Sequence, residues 1–237
     1  GTEGVYFATF AEKMDGGIMV TASHNPPDYN GMKFVREQSR PISGDTGLMD
    51  IKKIADADAY STPAKPGVLH QLNTWDKYID HLLSYVDTRK LKKLKVVVNA
   101  GNGGAGAVID SLEKHLPFEF IKIHHNPDGT FPNGVPNPML EENRLSTIKA
   151  IKENQADLGI AWDGDYDRCF FFDERGEFIE GYYIVGLLAS MFLKREQGAR
   201  IVYDPRLTWA TLEMVKSLGG MPVQSKSGHA FIKDVMR

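Results

Sequence analysis

Asp163, Asp165 and Asp167 stand in D-x-D-x-D order directly after an apolar run that ends at Trp162. In an extended segment alternate side chains share a face, so the spacing predicts three carboxylates pointing one way. Three ionised carboxylates in one place repel each other unless a cation neutralises them. Carboxylate oxygens suit Mg²⁺, which takes few protein ligands and keeps places for water or phosphate. An EF-hand reading puts Glu174 at the twelfth position, but the sixth, which needs Gly for its sharp turn, is Arg168. Arg168 follows the third aspartate and can place a guanidinium fork beside a metal-bound phosphate, or pair with the same aspartates.

A second candidate lies far upstream. Ile18-Met19-Val20 reads as a strand, and Thr21-Ala22-Ser23-His24-Asn25-Pro26-Pro27-Asp28-Tyr29-Asn30-Gly31 reads as a rigid polar loop. Its hydroxyl, Ser23, has His24 beside it and Lys33 one strand away. A Ser-His-Asp hydrolase is disfavoured: sequence neighbours Ser23 and His24 are expected to project in different directions, and no G-x-S-x-G elbow is present. The residues fit better a hydroxyl that carries a phosphoryl group, with the metal neutralising it.

Other motifs carry less. The segment Asn99 to Gly106 is glycine-rich at a strand-to-helix junction and has G-x-G-x-x-G spacing from Gly101. It reads equally as an anion-binding turn and as glycines that let a helix pack close to a strand. Lys226-Ser227-Gly228-His229 closes a later strand, where a Lys and a His suit phosphate or sugar hydroxyl contacts. His124 and His125 read as a strand end.

The elements that must position these groups alternate. Strands are predicted at 32–35, 95–99, 118–123, 158–162, 169–172, 178–179, 200–204 and 221–224. Helices are predicted at 46–57, from Trp75 to Val86, after Gly106, and at 146–153, 182–194 and 208–218. Alternation of strand and helix implies repeated α/β domains with mixed, largely parallel sheets covered by helices. Residues 56–66 are polar, contain two prolines and read as a linker. The chain has 237 residues and a net charge of -3 with both signs scattered, so no basic footprint for nucleic acid is present. No apolar run approaches the roughly 20 residues of a membrane span. The single cysteine, Cys169, excludes an intramolecular disulfide and fits a reducing, cytoplasmic setting. Both ends read as cut: there is no initiator Met, and the last residues stop inside a predicted helix.

Three motifs together, T-A-S-H-N-P-P-D-Y-N-G-M-K, D-G-D-Y-D-R and K-S-G-H-A-F-I-K, resemble the α-D-phosphohexomutases. Within that family the chain is most similar to the bacterial phosphomannomutases, with phosphoglucomutases close behind. The resemblance implies a fragment of a four-domain enzyme. Residues 1–65 correspond to the later part of domain I, 66–175 to domain II, and 176–237 to the beginning of domain III. It implies that Ser23 is the phosphoserine and that Asp163, Asp165 and Asp167 hold Mg²⁺ together with the Ser23 phosphate. Arg168, His24 and Lys95 become active-centre groups, the last two as proton-transfer partners. Lys33, Arg206, Lys226, Gly228 and His229 become substrate contacts, with Arg206 standing where some members have Lys. The implied reaction interconverts hexose 6-phosphate and hexose 1-phosphate through a hexose 1,6-bisphosphate. Two rivals remain: a phosphatase with an aspartate nucleophile, and a sugar-phosphate-binding chain without turnover.

Overall fold

A computed structural model describes all residues from Gly1 to Arg237. The organising element is β4, Lys95–Asn99, at the heart of a five-stranded sheet ordered β5-β4-β6-β7-β8. Its three valines are fully buried. Successive side chains in a strand face opposite ways. Val97 packs with Ile151 of α5 (Leu145–Asn154) and Phe172 of β7 (Cys169–Phe172), while Val96 and Val98 pack with Ala105 and Ile109 of α4 (Ala105–Glu113). The sheet is thus covered on both faces, and each buried valine contributes roughly 1.5–3 kcal/mol. β4 runs parallel to β5 (Glu119–Ile123) and β6 (Leu158–Trp162). β6, β7 and the short β8 (Phe178–Ile179) then continue antiparallel.

The parallel pairing decides where chemistry can be placed. The loops after β4 and β6 leave the same edge of the sheet, because Asn99 is in register with Ala161. The glycine-rich turn and the Asp163 to Arg168 segment are therefore neighbours.

The first part of the chain is different. Helix α1 (Thr2–Ala11) lies over an antiparallel sheet of β1 (Gly16–Val20), β2 (Met32–Arg36) and the two-residue β3 (Arg40–Pro41). The helix expected over 46–57 begins later, as α2 (Met49–Asp56). A wide turn over Gly44–Leu48 precedes it, because Gly47 takes a left-handed φ of 126° that an α-helix excludes. No helix or strand lies between Asp56 and α3 (Trp75–Leu83), as expected of the linker.

The last part holds α6 (Gly181–Arg195), β9 (Arg200–Tyr203), α7 (Trp209–Ser217), β10 (Met221–Gln224) and α8 (His229–Val235). β9 and β10 pair in parallel, and Ala189, Leu193 and Val215 form their small core. α8 turns back towards the first part. The Lys233 ammonium lies 4.0 Å from the centre of the Tyr6 ring, and Arg237 Nη2 donates to the Gln38 carbonyl at 2.9 Å. The β2 lysine, Lys33, bonds Thr2 of the first part and the Asp163 to Arg168 segment of the second.

Candidate functional site

The aspartate segment is a tight reversal between β6 and β7, where Trp162 pairs with Cys169. Tyr166 donates its N–H to the Asp163 carbonyl at 3.0 Å and takes a left-handed φ of 50°. The three carboxylates do converge, with oxygens within 4.8 Å of one another. The expected reason was wrong. They meet because the chain folds back on itself within six residues, and strand alternation plays no part. Asp163 is 1% exposed and Asp165 4% exposed, so their charges need partners.

Those partners come from the first part of the chain. Ser23 donates its hydroxyl to Asp163 Oδ2 at 3.0 Å across 140 residues. Lys33 Nζ donates to Asp165 Oδ2 at 2.7 Å and to Asp167 Oδ2 at 2.6 Å. Arg168 Nε lies 3.2 Å from Asp163 Oδ2, and its Nη2 reaches His24 Nδ1 and, at 3.4 Å, Ser23 Oγ. Burial, followed by the charges of Asp167 and Asp165, pushes the Asp163 carboxyl above its ordinary value. Burial alone would do the same to Asp165, but bonds from Lys33 and Thr2 hold it below. Neighbouring carboxylates are thus driven apart in acidity. Lys33 is pulled up against its burial by those bonds to Asp165 and Asp167.

The donor set fits a hard divalent cation. Three carboxylates meet two fixed cations, Lys33 and Arg168, leaving one negative charge uncompensated. Asp165 Oδ1 is buried and bonded to nothing, while Oδ2 on the same group takes three donors. A buried acceptor without a donor is costly, and Mg²⁺ takes such oxygens.

Ser23 and His24 do not project apart, against expectation. Ser23 has a left-handed φ of 57°, and this brings its hydroxyl to 3.1 Å from His24 Nδ1. The arrangement is still not a hydrolase triad, which needs the imidazole between serine and carboxylate, bonded through different nitrogens. Here Ser23, Arg168 and Asp163 (4.0 Å) all address Nδ1, and Ser23 bonds Asp163 directly. Burial and then the Arg168 charge hold His24 below its ordinary value, so the imidazole is neutral at pH 7.

Lys95 must be removed from this centre. It begins β4, and its strand runs about 13 Å from there to Asn99, at about 3.3 Å per residue. Its side chain reaches the Asn154 carbonyl at 3.3 Å and Glu119 at 3.9 Å, at the opposite edge of the sheet from the aspartates.

The glycine-rich turn is not an open anion cradle. The N–H groups of Gly101, Asn102, Gly103 and Gly104 are bonded to Asn99 Oδ1 and to the carbonyls of His124, Ala100 and Gly164. Its glycines serve close approach: a Cβ on Gly103 would stand 2.4 Å from the Gly164 carbonyl oxygen, and one on Gly164 would stand 2.3 Å from that of Ser23. The three backbones are stacked in direct contact, and this contact sets the distance from the serine loop to the aspartates.

Of the residues expected to touch substrate, Lys33 lies in the centre itself, bonded to Asp165 and Asp167, whereas Arg206, Lys226, Gly228 and His229 belong to the last part of the chain. Arg206 forks onto Asp204 at 2.8 and 2.9 Å, with its side chain 76% exposed. That pairing holds Asp204 down to about 2. Lys226 donates to Asp45 at 3.1 Å. Gly228 caps α8 with a φ of 120°, and His229 is the first residue of that helix. Burial, then the Lys233 and Lys33 charges, lower His229, so it shares an electrostatic neighbourhood with the centre.

Comparison with known proteins gives the family. The phosphoglucomutase/phosphomannomutase α/β/α domain I signature matches residues 1–61, the domain II signature residues 76–176 and the domain III signature residues 180–237. The chain belongs to this phosphohexomutase family. A phosphohexose mutase of Xanthomonas campestris pv. campestris (strain B100) is 61% identical over the whole chain, which covers 53% of that relative. A phosphomannomutase of Vibrio cholerae is 58% identical over 242 aligned residues, with 52% of it covered. Among solved structures, a phosphoglucomutase/phosphomannomutase family protein of Burkholderia thailandensis superposes with a TM-score of 0.85 at 35% identity, over 94% of this chain and 47% of that one. The chain spans about half the length of the curated relatives it matches.

Within the phosphohexomutase fold, sequence reading missed three contributors. Thr2 and Thr21 both donate to Asp165 Oδ2, at 2.8 and 3.1 Å. Thr21 sits inside the serine-loop motif, which was a signal. Thr2 had none. Gly164, between two aspartates, was visible only as a spacer, and its packing role needs the facing backbone.

Proposed function

We propose that this chain carries the phosphoryl-transfer centre of a hexose phosphate mutase, with mannose phosphate as the substrate. The observation that carries the proposal is the Ser23 hydroxyl bonded to Asp163 at 3.0 Å within a carboxylate triplet. Relatives 56–61% identical to the whole chain that are phosphohexose mutases and phosphomannomutases support the substrate class.

In this reading phospho-Ser23 transfers its phosphoryl group to the free hydroxyl of a hexose monophosphate. The bond from Ser23 Oγ to phosphorus breaks, a sugar oxygen–phosphorus bond forms, and the sugar hydroxyl gives up its proton. The hexose 1,6-bisphosphate turns over and returns its other phosphate to Ser23. Such transfer depends on positioning and charge neutralisation. Mg²⁺, held by Asp163, Asp165, Asp167 and the Ser23 phosphate, would supply Lewis-acid neutralisation of the transferring group. Arg168 orients the Ser23 oxygen and would meet the phosphate with its fork. His24, neutral and beside Ser23, is the proton-transfer candidate that the centre retains, and Lys33, expected as a substrate contact, takes the place of Lys95 beside it. Arg206, Lys226, Gly228 and His229 remain assigned to the sugar phosphate, reached from the third part. The proposal includes a division into parts at 1–65, 66–175 and 176–237, and a cytoplasmic setting. No helix of the chain is long and apolar enough to cross a membrane.

Intact-mass measurement after incubation with hexose 1,6-bisphosphate tests the transfer. The chain should gain one acid-stable phosphate, and Ser23→Ala should gain none. A base-labile phosphate that survives Ser23→Ala would place the chemistry on an aspartate and overturn the mutase reading. In the full-length protein, equal kcat/KM for mannose 1-phosphate and glucose 1-phosphate would replace mannose specificity by dual specificity.

A further inference from the structure

Thr21 precedes Ser23 by two residues, and the mechanism above does not use it. Its hydroxyl makes two bonds. It accepts the Ser23 N–H at 2.9 Å and donates to Asp165 Oδ2 at 3.1 Å. A hydroxyl has one proton and two lone pairs, so both bonds can stand at once. One oxygen atom therefore ties the serine loop to the aspartate loop.

Both ends of this bridge are under constraint. Ser23 sits at a φ of 57°, a left-handed conformation that strains a non-glycine residue unless its surroundings hold it. The bond to its N–H is such a hold. At the other end, Asp165 is 4% exposed, and Thr21, Thr2 and Lys33 all donate to its Oδ2. Its Oδ1 has no partner. Three donors on one oxygen lock the carboxylate plane and leave the other oxygen as the free ligand. Residues that orient a metal-binding carboxylate in this way govern affinity without touching the ion.

We infer that Thr21 is a positioning residue with two outputs: it holds Ser23 in its left-handed conformation, and it turns Asp165 Oδ1 towards the divalent cation. The inference rests on the metal reading above. Thr2 shares only the second output, since it bonds Asp165 and not the Ser23 backbone.

Mn²⁺ binding, followed by electron paramagnetic resonance on the unphosphorylated chain, tests it without any turnover. Thr21→Val keeps the branched shape and loses both bonds. It should weaken Mn²⁺ binding by about 10-fold or more, and it should slow phosphate gain from hexose 1,6-bisphosphate. Thr21→Ser keeps the hydroxyl and should restore binding to near the parent's. Thr2→Val should weaken Mn²⁺ binding but leave phosphate gain, at saturating metal, closer to the parent than Thr21→Val does. Urea unfolding of each variant reports the fold, and Thr21→Ala replaces Thr21→Val if the latter does not fold. Parent-like Mn²⁺ affinity in a folded Thr21→Val or Thr21→Ala chain overturns the role of Thr21 while the metal centre stands. A parent chain that binds no Mn²⁺ overturns the metal centre, and the role of Thr21 with it.

Discussion

The serine–aspartate centre and the substrate-contact residues of the third part are built in opposite ways. Around Ser23 the bonds that assemble the centre span more than 130 residues: Ser23 to Asp163, Lys33 to Asp165 and Asp167, Thr21 to Asp165. Around Arg206 the strong bonds are local, to Asp204 two residues away. Asp165 is buried and its lysine partner half-buried, whereas the Arg206 side chain is 76% exposed. The first kind of site exists only when the fold exists, and its charges are felt strongly because water is excluded. The second is screened, and it can swing to a ligand at low cost.

This contrast can be broken most decisively at Lys33. Lys33→Met leaves Asp165 and Asp167 without their ammonium. Breaking a buried pair from one side costs about 3 kcal/mol, to be read from urea unfolding without metal. Because a cation bound only to the folded chain adds stability, Mg²⁺ should recover more stability in this variant than in the parent. A metal-free loss below about 1 kcal/mol, the range of surface ion pairs, would mean that the centre is no different from Arg206.

Gly164 tests the contact between loops. In Gly164→Ala the new Cβ would stand 2.3 Å from the Ser23 carbonyl oxygen, so one backbone must move. Overpacking of this kind costs about 1–3 kcal/mol, and the displaced Ser23 should accept phosphate more slowly. Parent-like stability and phosphorylation together would show that the two loops are not held by direct backbone contact.

The smallest effect is expected at Arg206. Asp204 falls from an ordinary 3.8 to about 2 in the folded chain, chiefly through its bonds from Arg206. A depressed carboxylate adds stability that is complete above the unfolded value and is lost as pH falls through the folded one. The parent should therefore lose this contribution between about pH 4 and pH 2, and Arg206→Ala should flatten that part of its stability profile. At pH 7 the variant should lose about 1 kcal/mol, since the exposed guanidinium is screened although Asp204 itself is buried. Parallel profiles for the two proteins would assign the Asp204 shift to Ser227 and the backbone instead.

The elements themselves were largely legible, for a local reason. The β-branched run at 96–98, the helical spacing from Trp75 and the turn signals at Gly176 are short-range patterns, and they form close to where the patterns place them, the helix ending at Leu83 rather than Val86. The glycine-rich turn was legible as a turn but not as packing, because its role depends on Gly164 approaching from the next loop. Lys95 shows the same limit. Its membership of β4 was readable, but which end of that strand faces the chemistry is decided by the direction of the parallel neighbours.

By itself the sequence determined the ingredients: a stiff loop with one hydroxyl, a carboxylate triplet, and α/β units to carry them. Their types and spacing are local properties of the chain. Only the tertiary structure decided that Ser23 meets Asp163, that Lys33 serves the carboxylates, that Lys95 is elsewhere, and that one threonine hydroxyl joins the two loops. Those outcomes depend on how the parts dock across about 140 residues, and side-chain spacing has no term for that distance.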